Sequence, residues 1–582
     1  MGRVVRAKRL IFLCGLAVLA WWIRYHPPGV DLVVFDDDAR QHVYWTVQYQ
    51  DPTLFQGDIL TSFISSRVFA PAGYRAIYWV GVGVIMLDPL TFSQLLTLVL
   101  LLISMWLLDG FSKILTTDER GRVFVLGLFL FFSLYDASGG FPRTFAFPIL
   151  LAFLLLLQRG AFRWASLIIV MGALLYPPMV LNTAALAGWR LMERFIPLVR
   201  KDWRRDSERG LSNGWKGGGE AGITRERFLS WFGDILILTA AISLTLLLLF
   251  STYRGQGADV LGRQVTVEEA RGMWEFHEGG RSAFFAESPL RYLLVGRSGI
   301  GAIHLIGFAI ILFVMALVIG PRRILVPTLA LHLTWTSLVL FGAAHLLLFR
   351  LHLPSRYTLY TLPLAFMLTI AANTGPFLDS VRSKCKGMRV KVFGGKVPIW
   401  VGWTTFGVLL SVYAYVQGHY ICRFDTQVVA VGPLEREMLS FISTLSRDTL
   451  VAGHPMDMDN VPLLARRKVL ANRELSLPYY VGYYGKVKQR LLDMLEAYYA
   501  TDWKALEGFV HRYDVNAIVV RKAHFEERFT KGRIYLEPFN HLAKGRWREG
   551  ERFILADPPR SFRCFENAEF IVLCMKIGPR DG

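Results

Sequence analysis

Long apolar blocks separated by short polar segments fill the first 417 residues of the chain. A helix needs about 20 apolar residues to cross the hydrocarbon core of a membrane, and most blocks approach that length. The block at 165–188 is interrupted by Pro177 and Pro178, so we predict two short, tilted crossings there rather than one kinked helix. Counting both, about eleven crossings are predicted, at 10–24, 90–108, 122–135, 145–158, 165–188 (two), 231–251, 300–319, 324–348, 357–373 and 398–417.

The polar segments between these blocks carry an excess of positive charge. The chain has 65 Lys and Arg against 46 Asp and Glu, a formal net charge of +19. Many of these charges lie in short segments between apolar blocks, where they orient a membrane protein, so nucleic acid is not an expected partner. The positive-inside rule places the N-terminus and the basic loop 189–230 in the cytoplasm, with loops 25–89 and 252–299 outside. The sequence therefore predicts a multi-pass protein of the cell inner (plasma) membrane.

The last part of the chain differs in kind from this transmembrane module of residues 1–417. "DTLVAGHP" and "YDVNAIVVRK" are short β-branched runs bounded by turn residues, with helical periodicity between them. We predict an extracytoplasmic α/β domain over 418–582. Cys564 and Cys574 flank a possible hairpin there, and either they pair in an oxidising compartment or they remain free thiols. None of the five cysteines lies in a CxxC or Cys/His pattern, so the sequence shows no evident zinc or iron–sulfur site.

The stretch "VVFDDDARQHVYW" places three adjacent aspartates, Asp36, Asp37 and Asp38, in the first outer loop. Capping of a helix that begins there is one explanation, since carboxylates stabilise the N-terminal end of a helix. Capping uses only one or two acids, however, and three adjacent charges repel one another near a membrane of low dielectric constant. A positive partner is therefore expected, which is Arg40, a divalent ion or a charged substrate.

Two short motifs resemble the GT-C superfamily of integral membrane glycosyltransferases. Asp37-Asp38-Ala39-Arg40 is similar to the Asp-Glu-x-Arg sequence in the first outer loop of the lipid A aminoarabinose transferases, with aspartate in place of glutamate. The protein O-mannosyltransferases carry an Asp-Glu pair in the same loop. In "HLPSRYTLYTLPLAF", Pro354-Ser355-Arg356-Tyr357 resembles the Pro-x-Arg-Tyr signature that opens a late span in many bacterial members. The layout of loops, spans and terminal domain extends the resemblance over most of the chain.

The resemblance implies transfer of a sugar from a polyprenyl-phosphate carrier to a glycan, lipid or protein acceptor on the outer face. By this match Asp37 is the general base and Asp38 is its neighbour. Asp36 has no counterpart, so a register shift of one residue would change which of the three aspartates is the base. Arg356, followed by Tyr357, would bind the lipid phosphate. The alternative is that Arg356 only extends its charged end to the membrane interface, as arginines near the end of a span do.

Three further residues are candidates for substrate binding. Arg40 either binds phosphate or pairs with Asp36 or Asp37 one helical turn away. Asp136 and Arg143 flank "ASGGFP" in the second outer loop. They either close over the first loop, or they are an ordinary loop acid and an arginine at a helix end.

Metal binding stays open from the sequence. His42 lies four residues after Asp38. Together with Asp36, these two residues form a possible site for a divalent cation. A surface histidine is the simpler explanation, because no further ligands converge in sequence. No cofactor is predicted with certainty.

A lipid or polysaccharide transporter or flippase is the main alternative function, and a non-catalytic membrane assembly protein is another. Transporters place ionisable residues within their spans, near the midplane. The predicted spans contain few such residues, notably His304, His332 and His345, whereas the acids gather in the outer loops. This distribution favours a glycosyltransferase whose partners are a polyprenyl-phosphate-linked sugar, membrane lipid and an acceptor.

Overall fold

Helices dominate the computed structural model of the chain, which describes residues 2–27, 31–115, 119–134, 136–209, 225–254, 261–294, 302–351, 353–385, 428–545 and 552–575. Each predicted apolar block before residue 385 coincides with a helix, and the predicted crossing at 398–417 lies outside the described residues. The long helices before residue 385 are Gly2–Tyr25, Pro89–Leu115, Glu119–Ser133, Ala146–Gln158, Phe162–Leu175, Pro178–Arg209, Arg225–Arg254, Ala302–Ile319, Thr328–Leu346 and Thr361–Cys385.

Several of these helices have the length and composition of membrane spans. Among the described residues, four are long and apolar enough to cross a membrane: Pro89–Ile114, Leu229–Thr252, Thr328–Leu346 and Pro354–Val381. Four shorter apolar helices accompany them, at Cys14–Tyr25, Pro142–Gln158, Phe162–Leu175 and Ile306–Ile319. Only 11% of the Leu229–Thr252 window is buried inside the protein, so most of this apolar helix faces outward, as a helix in contact with lipid does.

The helical break predicted at Pro177 and Pro178 is present. One helix ends at Leu175, and the next begins at Pro178 and runs to Arg209. Between them, Tyr176 has φ −149° and ψ 86°, because a residue that precedes proline avoids the helical region. The two helices pack against each other.

The described strands of the chain are β1 Val33–Asp36, β2 Val428–Val431, β3 Leu450–Gly453, β4 Lys468–Val469, β5 Ala517–Arg521, β6 Arg563–Glu566 and β7 Phe570–Cys574. The last five form a mixed sheet in the C-terminal part, in the order β4-β3-β5-β7-β6. The helices of this part include Pro433–Thr444, Val481–Tyr498 and Trp503–Tyr513. Strand β3 is parallel to β4 and β5, and the hairpin of β6 and β7 continues the sheet in antiparallel pairing and carries a disulfide between Cys564 and Cys574.

Both predicted outer loops contact this C-terminal part. Strand β1 in the first loop pairs antiparallel with β2, from Val33 opposite Val431 to Asp36 opposite Val428. The loop 252–299 is attached by an ion pair of 2.7 Å between Glu275 and the Lys488 ammonium. The three aspartates therefore lie where the helical part and the C-terminal part meet.

Candidate functional site

The first aspartate of the run is held inside the fold. The Asp36 side chain is only 3% exposed, and it forms an ion pair with Arg24. It also accepts a hydrogen bond of 2.5 Å from the Tyr25 hydroxyl. Both partners lie at the end of the Gly2–Tyr25 helix. Because its charge is compensated and it has almost no access to solvent, Asp36 is suited to anchoring β1 to the first helix rather than to proton transfer.

Asp37 remains partly accessible to solvent, and its carboxyl group has a raised pKa. Its side chain is 22% exposed and pairs with Arg40 across the short helix Ala39–His42. Burial and the nearby Glu474 carboxylate raise the pKa of Asp37 to about 6, against the opposing effect of Arg40. A carboxyl group with this pKa is a better proton acceptor near neutral pH than an ordinary aspartate.

Arg40 connects the first loop to the C-terminal part. Its guanidinium lies 3.5 Å from the Asp459 carboxylate and 3.2 Å from the Glu474 carboxylate, and its side chain is 7% exposed. Glu474 also accepts from Arg473 at 2.8 Å and from Arg281 at 3.1 Å. These carboxylates occupy its N–H groups, so Arg40 connects the first loop to the C-terminal part through ion pairs. We call this set of buried charges the Arg40 network: Asp37, Arg40, Arg281, Asp459, Arg473 and Glu474.

Loss of Arg40 should destabilise the protein. The Arg40→Ala variant leaves Asp459 and Glu474 buried with fewer counter-charges, and removal of one partner from a buried ion pair costs about 3–5 kcal/mol. Denaturation of the purified protein in detergent measures the change in free energy of unfolding. The matched control is Arg447→Ala. Arg447 also connects the C-terminal part to the first outer loop, through its ion pair with Asp51, but its side chain is 64% exposed. Equal stability of the two variants would contradict a structural role for the Arg40 network.

Asp38 faces an opposite environment, rich in arginine. Although it is the residue before the Ala39–His42 helix, its side chain makes no capping hydrogen bond. It forms an ion pair of 3.0 Å with Arg143 instead. Burial opposes its ionisation, but Arg143, His42 and Arg356 together with Arg281 hold the pKa of Asp38 below its usual value. Asp38 therefore stays ionised, and capping does not explain the aspartate run.

Arg356 lies beside this pair with its guanidinium available. Among the residues that the structure describes, none forms a hydrogen bond or ion pair with that guanidinium. The phenol groups of Tyr176 and Tyr360 lie next to it, with their ring centroids 6.0 Å apart. Tyr357 points elsewhere, since its hydroxyl donates to the Leu351 carbonyl oxygen at 2.6 Å. Of the Arg356-Tyr357 pair, only the arginine is suited to bind an anion here.

Two further predicted residues complete the surroundings of Asp38. Burial raises the pKa of Asp136 to about 6, against the lowering effect of Arg143 and Arg356. Burial also lowers the pKa of His42 to about 4, so this histidine is neutral at physiological pH. We call the following group the arginine centre: Asp38, His42, Asp136, Arg143 and Arg356.

The residues considered for metal binding do not suit a divalent cation. The charge of Asp36 is already balanced by Arg24, and it faces the first helix. Asp38 is surrounded by arginines, whose charges repel a cation. Asp36, Asp38 and His42 therefore lack the shared negative environment that such an ion requires.

Arg281, Asp459 and Glu474 belong to the site, but they have no recognisable sequence motif. Asp459 and Glu474 are 419 and 434 residues from Arg40, respectively. Arg281 comes from the loop 252–299, and it adds a positive charge near Asp38. No local spacing pattern connects such distant segments, so only the tertiary structure reveals them.

Comparisons with known proteins find similarity in structure alone. No protein-family model matches the sequence, and no curated protein sequence matches it. The archaeal oligosaccharyltransferase AglB from Archaeoglobus fulgidus, solved with an inhibitory peptide and a dolichol-phosphate, is 11% identical with a TM-score of 0.46; the match covers 92% of this chain and 72% of that one. The arabinofuranosyltransferase AftD from Mycobacteria is 13% identical with a TM-score of 0.41, over 88% of this chain and 35% of that one. Both are GT-C membrane glycosyltransferases.

Proposed function

We propose that the protein is a membrane glycosyltransferase that moves a sugar from a polyprenyl-phosphate carrier to an acceptor on the extracytoplasmic face, with inversion at the anomeric carbon. One observation carries the proposal: a partly accessible carboxylate, Asp37, lies beside an arginine centre in which Arg356 has no partner among the described residues. A base next to an anion-binding group is what displacement of a phosphate by a nucleophile requires.

The proposed reaction uses these groups as follows. Asp37 accepts the proton of the acceptor hydroxyl or amine, and the nucleophile forms a bond to the anomeric carbon. The bond between that carbon and the phosphate oxygen breaks, and its electron pair leaves with the carrier phosphate. Arg356 stabilises the charge that develops on the phosphate, and Arg143 adds to the positive field. Asp38 orients Arg143 through their ion pair of 3.0 Å.

Two features support an extracytoplasmic site. The disulfide between Cys564 and Cys574 is typical of an oxidising compartment. The basic segment 189–230, which includes the end of the helix Pro178–Arg209, lies on the opposite side in the predicted topology, as the positive-inside rule requires. The strand pair β1–β2 connects the aspartate run to the same part of the chain as the disulfide.

A reconstituted assay tests the function. The purified chain is placed in liposomes with a polyprenyl phosphate carrying a radioactive sugar, and native membranes of the producing cells supply the acceptor. We expect the label to leave the carrier and to appear in a glycan, lipid or protein fraction. Label that stays on the carrier while the carrier changes leaflet would instead identify a flippase, and label that does neither would contradict both functions.

The pH dependence of transfer should report the ionisation of Asp37. Because the base acts only when ionised and its pKa is about 6, kcat/KM should fall about tenfold per pH unit below that value. The Glu474→Gln variant removes a negative charge that raises this pKa, so its profile should shift to lower pH. Initial rates between about pH 5 and 8 measure both profiles. Identical profiles that stay flat through this range would contradict Asp37 as the base.

A further inference from the structure

Two histidines and one aspartate that the proposed transfer does not use lie together at one edge of the five-stranded sheet. His454 directly follows β3, Asp457 lies three residues later, and His524 lies just after β5. Strands β3 and β5 are parallel neighbours, so their carboxyl ends meet at the same edge. One ligating atom from each of the three buried side chains lies within 4.8 Å of the others.

One nitrogen of the His454 ring has no hydrogen-bond partner among the described residues. Its Nε2 lies 3.0 Å from the Ile534 carbonyl oxygen, and because a carbonyl can only accept, Nε2 carries the proton. Nδ1 therefore presents a lone pair. It is buried without a hydrogen-bond partner among the described residues, and the residue is 0% exposed. A buried acceptor of this kind is unfavourable unless something occupies it.

The Asp457 carboxylate is divided in the same way. Its Oδ1 accepts from the Arg521 guanidinium at 2.8 Å. Its Oδ2 is buried without a hydrogen bond among the described residues and lies 3.6 Å from Nδ1 of His524. Arg521 also pairs with Glu569, which offsets its positive charge. One carboxylate oxygen is thus held in place while the other faces the two imidazole rings.

We propose that His454, Asp457 and His524 bind one divalent transition-metal ion of the zinc type. Imidazole nitrogen and carboxylate oxygen are ligands that zinc accepts, and three protein ligands leave a fourth position for water. The Ile534 carbonyl and Arg521 are outer partners of the kind that orient metal-binding histidines and carboxylates.

The spacing of the group is close to that of a metal site. Ligand atoms about 2.0 Å from a tetrahedral ion lie about 3.3 Å from one another. His524 Nδ1 and Asp457 Oδ2, at 3.6 Å, are already near this separation. His524 Nδ1 also shares a hydrogen bond of 3.2 Å with the Tyr498 hydroxyl, which a bound ion would replace. The remaining pairs of atoms, within 4.8 Å, would have to approach by up to about 1.5 Å to reach it.

The ion would fix a segment that serves the candidate site. Asp457 lies two residues before Asp459, which pairs with Arg40 at 3.5 Å. Binding at His454 and Asp457 would therefore restrain the segment 454–459 and, through it, the Arg40 network. The predicted role of the metal is structural, and it does not depend on whether the protein transfers sugars.

Metal retention by the purified full-length protein in detergent tests this inference. The protein is treated with EDTA, equilibrated with Zn²⁺ and desalted, and its zinc content is measured by mass spectrometry. We expect about one Zn²⁺ per chain, and Co²⁺ in its place should give a visible ligand-field absorption. His454→Gln and Asp457→Asn should each weaken Zn²⁺ affinity about 100-fold or more. The control His511→Gln changes an exposed histidine on the Trp503–Tyr513 helix and should retain the ion.

A thermal measurement keeps the test decisive if the variants fold poorly. Zn²⁺ should raise the Tm of the wild-type protein, and EDTA should reverse the shift, because a ligand that binds only the folded state stabilises it. Less than about 0.1 Zn²⁺ per wild-type chain, together with no shift in Tm, would overturn the inference. Unchanged zinc retention by folded His454→Gln and Asp457→Asn would overturn it as well. These readouts are independent of glycosyl transfer, so failure of the proposed function would not affect them.

Discussion

The Asp37→Asn variant is expected to lose about 10²–10⁴-fold in kcat/KM for sugar transfer, the contribution of a positioned general base. Asparagine has nearly the same shape as aspartate but cannot accept the proton of the acceptor. The fold should remain intact, because Arg40 keeps its contacts with Asp459 and Glu474. Initial rates with the radioactive polyprenyl-phosphate sugar measure the loss, and the Tm of the variant shows that the protein is folded.

Two comparisons separate this role from a general effect of charge in the loop. Asp31→Asn makes the same change at an aspartate that is 77% exposed and pairs with Arg436, and it should leave transfer unchanged. Asp38→Asn should reduce transfer by disturbing Arg143, and the pH profile of the remaining activity should shift to lower pH, because the Asp38 charge helps to raise the pKa of Asp37. If Asp37→Asn is fully active while Asp38→Asn is inactive, the base lies one residue further along the chain.

The Arg356→Ala variant is expected to lose about 10²–10³-fold in kcat/KM, as when one group that stabilises developing charge is removed. Its guanidinium has no partner among the described residues, so removal should weaken phosphate binding without breaking an ion pair of the fold. Arg356→Lys should retain part of the activity, since lysine supplies the charge but not the paired N–H groups. Donor titrations should show a higher KM for both variants, and a larger one for alanine.

An exposed arginine nearby provides the control for Arg356. Arg350 is exposed and lies just before the same predicted span, where an arginine that only snorkels to the interface would also be found. Arg350→Ala should therefore leave the donor KM unchanged. Equal effects of Arg350→Ala and Arg356→Ala, or wild-type kinetics in Arg356→Ala, would remove Arg356 from the phosphate site.

The helical part of the fold was predictable because its signals are local. The length and apolar character of each block depend only on neighbouring residues, and the helices found before residue 385 follow those blocks. Pro177 and Pro178 mark the break correctly for the same reason, since a proline acts on the residues next to it. The number of crossings stays a prediction, because the block at 398–417 lies outside the described residues.

The apolar helices, the cluster of three aspartates and the resemblance that indicates Asp37, Asp38 and Arg356 could all be predicted from the amino-acid sequence. The partner of each aspartate, in contrast, depends on the fold: Asp36 pairs with Arg24, Asp37 with Arg40 of the Arg40 network, and Asp38 with Arg143. The tertiary structure also revealed the partners of Arg40 and the group formed by His454, Asp457 and His524. A hydrophobic pattern depends on residues that are close in sequence, whereas the ionisation of a carboxylate depends on burial and on charges that the fold brings from distant segments.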